Sequence, residues 1–253
     1  MLKYFLVAVV CFFALHLVFF ASRKIHKSRH NASRILDAYL PDDELIAYAR
    51  QLASGLSGAH KGDSMGVIET VLSSNYDYIT SVHRELMERS AEESKLPPAA
   101  EWILDNYYIV ERHIKEIRMG LNHADFAVLP VLDEDSRKGY PRIYTIAEAF
   151  VAHRDARVDE ELLVQFIQSY QEHDTLTSPE LWALPVMLKL VLIENIAYIC
   201  RKIRQSVKQY EYAKKYCGYI LTRASDEKYV SEKVGRYFAG GSRINYSFVI
   251  QLA

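Results

Sequence analysis

The chain has 253 residues, half of them apolar and a quarter charged, with a formal net charge of -1. That is ample material for a core, and the basic residues gather on no nucleic-acid-binding motif, so nucleic acid is not an expected partner. Ten glycines and seven prolines are too few for a chain of many short strands, and three cysteines without a C-x-x-C pair do not make a disulfide framework, which fits a reducing compartment.

Residues 4–21, YFLVAVVCFFALHLVFFA, form an apolar run about as long as a bilayer-spanning helix. A cleaved signal peptide would want a shorter apolar region and a small-x-small site. Here the run passes directly into SRKIHKSRH, with Arg23, Lys24, Lys27 and Arg29 behind it and only Lys3 ahead. Basic flanks stay cytoplasmic, so residues 1–22 read as a transmembrane anchor with the body on the cytoplasmic side.

Residues 23–62 read as a basic juxtamembrane segment and linker, which includes a short amphipathic helix, DDELIAYARQLASGL, after Pro41 and the flexible stretch SGLSGAHKGDS. Residues 63–217 read as a helical module. MGVIETVLSSNYDYITSVHRELMERSAEES has a helical apolar set in Val67, Val71, Leu72, Ile79, Val82 and Leu86. Pro97-Pro98 then starts AAEWILDNYYIVERHIKEIRMGL, whose expected inward face is Trp102, Ile103, Ile109, Val110, Ile114 and Ile117. After the irregular HADFAVLPVLDEDSRKGYPR come helices over IYTIAEAFVAHRD and DEELLVQFIQSYQEHD, the second capped by Asp159. The fold class read from this periodicity is all-α: one N-terminal transmembrane helix followed by a multi-helix soluble bundle.

TSPELWALPVMLKLVLIENIAYIC, residues 177–200, is apolar on nearly all sides. Thr177 and Glu180 stand in the S/T-x-x-E spacing of a capping box. A second membrane span would place Lys189 and Glu194 near the bilayer interior, at about 2.5–3.5 kcal/mol each, and Pro185 would remove a hydrogen bond. A central soluble helix is therefore the better reading, and its polar residues then need partners. The expected buried polar network comprises Glu194, Asn195, Arg142, Glu101 and Asp105, with Arg142 or Arg118 as the cation for Glu194. Glu101 and Asp105, one helical turn apart, have an acid/base spacing that is also common among surface carboxylates. The basic, tyrosine-rich RKIRQSVKQYEYAKKYCGYILTRA follows, and residues 218–253 read as the start of a further segment.

No phosphate loop, H-E-x-x-H pair, G-x-S-x-G elbow or zinc-type spacing occurs. The acidic triplet of residues 133–135 matches the D-x-D pattern with which many sugar-nucleotide transferases hold a divalent metal. No strand precedes it, and it reads as a solvated acidic turn.

Three blocks, PAAEWILDNYYIVERHIKEIR, GYPRIYTIAEAFVAHRDARVDEELLVQFIQSYQ and LTSPELWALPVMLKLVLIENI, resemble in order and spacing the N-terminal region of bacterial cyclic β-1,2-glucan synthases. Ser178-Pro179 stand where that family more often shows Ile-Gly, and HADFAVLPVL where a tyrosine pair is usual. The resemblance implies a large inner-membrane enzyme with a transferase domain and a glycoside-phosphorylase-like domain, both C-terminal to this region. It implies UDP-glucose as donor and a divalent metal for the parent enzyme, with no cofactor in this chain. No residue here maps onto a transferase motif, so the chain is expected to be a leading fragment that is inactive alone. Its expected partners are the membrane and the C-terminal catalytic domains, and its expected place is the bacterial inner membrane. Two roles follow from the resemblance: a scaffold or regulator of glucan synthesis, or a self-priming acceptor with Tyr140, Tyr144 and Tyr170 as candidates; a third reading is a stand-alone membrane-tethered interaction module.

Overall fold

The computed structural model describes residues 38–56, 59–91, 96–121, 126–133 and 137–222, with residues 226, 228, 229 and 232 beyond them. The apolar run at residues 4–21, expected as a transmembrane helix, lies outside the described residues, as does most of 218–253. Six helices account for most of the rest: α1 (Asp42–Gly55), α2 (Met65–Ala91), α3 (Pro98–Gly120), α4 (Arg142–Ala152), α5 (Glu160–Gln171) and α6 (Ser178–Leu221). The all-α expectation holds. The strands are two-residue pieces, β1 (His60–Lys61) and β2 (Pro130–Val131), paired antiparallel with His60 opposite Val131.

Local chemistry explains where the helices begin. Pro41, Pro97 and Pro141 are the N-cap residues of α1, α3 and α4, positions at which a residue without an N–H loses no helical bond. Asp159 caps α5 by accepting from the Leu162 N–H at 2.9 Å. β1 lies within a stretch expected to be a flexible linker. Gly62 explains its path: a Cβ there would stand 2.4 Å from Val131 Cγ2, so only glycine lets this segment lie against β2.

The chain divides into two compact units, residues 34–207 and a second that takes residues 208 onward. In the first, a single apolar core draws on all six helices, with Tyr170, Phe126, Phe150 and Phe166 its largest fully buried side chains. Phe150 of α4 meets Phe166 of α5 edge-on, with ring centroids 5.4 Å apart. Each such side chain contributes about 1.5–3 kcal/mol through removal from water. α1 is tied to α5 by Ser169 Oγ, which donates to the Ile46 carbonyl at 2.9 Å. On α3 the buried positions are Ala100, Ile103, Val110, Ile114 and Ile117. Trp102, expected on that face, is exposed, because it lies about 100° around the helix from Ile103. In the second unit most of the described residues belong to the last turns of α6, where Lys208, Tyr212, Lys214 and Lys215 are exposed.

α6 joins two stretches, 177–200 and 201–224, that the sequence presented as separate elements. Pro185 lies inside it; one missing N–H does not stop a helix whose buried side recurs at Ala183, Leu184, Met187, Leu190, Val191, Ile193, Ala197, Cys200, Ile203 and Val207. Over Ser178–Tyr212 this is the one helix among the described residues long and apolar enough to cross a membrane, and 56% of its most apolar stretch is buried inside the protein. Three of its charged groups point to other helices: Glu180 to Arg142, Lys189 to Glu116, Arg204 to Glu85. Those pairings fit a core helix better than a span.

Candidate functional site

Two polar clusters join α4 to α6, and neither has the membership expected from the sequence. In the first, Arg142 is the opening residue of α4 and is buried. Its guanidinium grips Glu180 with two parallel bonds, Nε to Oε1 and Nη2 to Oε2, each 2.9 Å. Nη1 donates to Asp174 and Nη2 to the Thr175 carbonyl at 3.2 Å. Glu180 is fully buried, and its Oε2 also accepts from the Thr177 N–H at 2.8 Å and the Thr177 hydroxyl at 2.9 Å. The glutamate half of the capping box therefore forms as expected. The threonine hydroxyl turns to the carboxylate, which thus anchors both its own helix and α4.

Such a pair is tolerated in the core because every charge has a partner and the fork geometry matches the carboxylate. Burial works against the Arg142 charge, but the Glu180 bond and its negative charge outweigh it and hold the guanidinium pKa above its ordinary value. Tyr170 lies fully buried nearby; burial pushes its hydroxyl's pKa up, against the nearby Arg142 charge.

The second cluster surrounds Glu194. Its cation is neither Arg142, committed to Glu180, nor Arg118, which lies over the Tyr76 ring at 5.5 Å. Instead the Tyr144 hydroxyl donates to Glu194 Oε2, and Asn75 Nδ2 of α2 reaches Oε1 at 3.5 Å. Asn75 also donates to the Val71 carbonyl at 2.9 Å. Burial is the first cause that raises the Glu194 pKa; the nearby Glu148 carboxylate adds to it, while Tyr144, Asn75 and Arg137 oppose it. Tyr144 is pushed up as well, by burial and then by the Glu194 and Glu148 charges. Tyr140 packs against Tyr144 with centroids 5.1 Å apart, and Arg137 pairs with Glu148 beside them.

Three expected members of the polar network do not join it. Asn195 is buried, but neither of its side-chain polar atoms has a partner. Glu101 and Asp105 are exposed, since both lie on the side of α3 opposite its core-facing isoleucines. Lys189, also on α6, donates to Glu116 Oε2 at 2.8 Å, which His113 Nδ1 also meets at 3.0 Å. The acceptor candidates separate in the same way. Tyr144 and Tyr170 are buried and Tyr140 is half-buried, so in the folded chain two of the three hydroxyls are closed to a glucosyl donor.

Asp133, the described part of the D-x-D match, stands 3.1 Å from His60 Nδ1 at the surface. No group of three or more His, Cys, Asp or Glu residues that could hold a metal ion comes together among the described residues. The divalent metal that the resemblance implies for the parent enzyme finds no fitting donor set in them. What these clusters do chemically is hold helices: charges and hydroxyls are spent on one another. The sequence signals for the true partners were present but ambiguous: a helix-opening arginine after Pro141, and a glutamate whose capping spacing already assigned it one role.

No protein-family model matches the chain. Over 172 residues, 68% of this chain, it is 33% identical to the cyclic beta-(1,2)-glucan synthase NdvB of Rhizobium meliloti (strain 1021). The match spans 6% of that protein's length. The resemblance seen in the three sequence blocks is thereby borne out, and the chain is related to a small part of that synthase.

Proposed function

We propose that this chain, as a relative of one short stretch of a cyclic glucan synthase, is a non-catalytic helical module that scaffolds glucan synthesis at a bacterial inner membrane. The catalytic work, with UDP-glucose as donor, belongs in this reading to domains beyond the matched stretch. The observation that carries it is the use made of the polar side chains: Arg142, Glu180, Glu194, Tyr144 and Asn75 bind helices to one another. Residues 4–21 would anchor the module with its body in the cytoplasm, on the evidence of the basic residues that follow them.

The test is a synthase related to NdvB from which the matched stretch has been deleted. Membranes carrying it are expected to lose glucan formation from UDP-glucose. Supplying the corresponding stretch within the synthase from this chain is expected to restore it, while the chain alone forms no glucan. Full synthesis by the deleted enzyme would sink the scaffold reading. Intact-mass analysis of the chain from the same membranes is expected to show no added hexose; a hexose on Tyr140 would favour the priming role.

A further inference from the structure

Residues 38–42 lead into α1 and lie against the turn that joins α4 to α5, bonded there to two adjacent residues. The Leu40 N–H donates to the His153 carbonyl at 3.1 Å, and His153 Nδ1 donates to the Ala38 carbonyl at 2.8 Å. Arg154 Nη1 is shared among the Tyr39 hydroxyl at 2.8 Å, the Leu40 carbonyl at 3.2 Å and Asp42 Oδ1 at 2.8 Å. The same guanidinium lies 4.9 Å from the centroid of the Tyr39 ring. Its side chain is 15% exposed, whereas Tyr39 is 54% exposed, so the strap is a surface segment fastened to a largely buried cation.

The turn that the strap grips has an unfavourable backbone. Past the end of α4 the Ala156 N–H bonds back to the Val151 carbonyl at 3.2 Å, a closure that usually has glycine in its left-handed position. Here Asp155 takes that position with φ 51°, and Ala156 follows it with φ 60°. Left-handed backbone strains any residue that carries a Cβ, and such strain persists only where the surroundings hold it. The strap bonds to His153 and Arg154, the two residues immediately ahead of the strained pair. We propose that residues 38–42 and the turn 153–156 form a strain-loaded clasp: the closed strap holds the turn left-handed, and its release lets the turn relax while the helices stay folded. A load on the chain ahead of residue 38 is passed along the strap to the junction of α4 and α5. The clasp stands on these contacts alone; only the source of that load, a membrane, rests on the reading of residues 4–21 as an anchor.

Amide hydrogen exchange of the full chain in detergent micelles reads the clasp directly, because the Leu40 N–H is one of its bonds. Val191, fully buried on α6, reports loss of the whole unit. Leu40 is expected to exchange far faster than Val191, at a rate that urea barely changes, the mark of an opening that exposes little surface. Arg154→Ala is expected to speed Leu40 by about tenfold or more, through the loss of charged hydrogen bonds. Tyr39→Phe, a change at an exposed residue that leaves the core intact, is expected to speed it severalfold while Val191 keeps its rate. Asp155→Gly with Ala156→Gly removes the Cβ penalty of the closed turn and is expected to slow Leu40 severalfold. Leu40 exchanging at the Val191 rate overturns the proposal, because the strap then leaves only with the whole unit. Leu40 unmoved by both Arg154→Ala and Tyr39→Phe overturns it as well. So does a glycine variant that leaves Leu40 as fast as before, since the turn then stays left-handed with the strap off. No membrane enters the measurement, so failure of the anchor reading leaves its result untouched.

Discussion

Removing the guanidinium at Arg142 is the sharpest test of how this fold is held. In Arg142→Met the side-chain length is kept, but Glu180, fully buried, loses both of its 2.9 Å guanidinium bonds. It keeps only the bonds from Thr177. Breaking a buried pair from one side costs about 3–5 kcal/mol, because an uncompensated charge is left in the core. For a unit of this size each kcal/mol moves the midpoint by about 2–4 °C, so a loss on the order of 10 °C is expected in thermal unfolding followed by near-ultraviolet circular dichroism. Asp174 is the partner nearer to water, its side chain 25% exposed, so Asp174→Asn should cost under about 1 kcal/mol. The double replacement Arg142→Met, Glu180→Leu removes both charges and should recover much of the loss. A single Arg142→Met as mild as Asp174→Asn, or a double variant worse than the single, would refute the account of Glu180 as the buried anchor.

Glu194 gives a pH dependence whose sign follows from its burial. Its folded-state pKa lies above the ordinary carboxylate value, so the folded state holds the proton longer than the unfolded chain. The stability this contributes is present at low pH and is lost as pH rises from 4.5 through the higher folded value. Urea midpoints of the parent and Glu194→Gln are expected to diverge over that rise, the variant gaining; parallel profiles would remove Glu194 from the second cluster. Gly62→Ala would drive a Cβ to 2.4 Å from Val131 Cγ2 and should cost about 1–3 kcal/mol, with Asp159→Ala costing about 1 kcal/mol as a lost cap; urea unfolding measures both. Glu101→Ala and Asp105→Ala should leave the midpoint where it was, whereas a clear destabilisation by either would return them to the polar network.

The sequence made the helices legible because their causes are local. Proline before α1, α3 and α4, Asp159 before α5, and apolar residues at helical spacing act over a few residues and need no tertiary context. The same locality explains two misreadings. Trp102 belongs to the apolar pattern of α3 although its angle on the helix turns it to water, and the change from apolar to basic composition after residue 200 does not end α6. Local pattern cannot rank one glutamate against another as the partner of a distant arginine. Glu180 and Glu194 are both carboxylates on one apolar helix; only the packing of α4 across α6 brought Arg142 to the first and Tyr144 to the second. The helical fold class and the kinship with a glucan synthase could thus be read from residue order alone. The choice of buried partners was decided by tertiary structure, because a buried charge is satisfied by whichever group the packed helices carry to within about 3 Å of it.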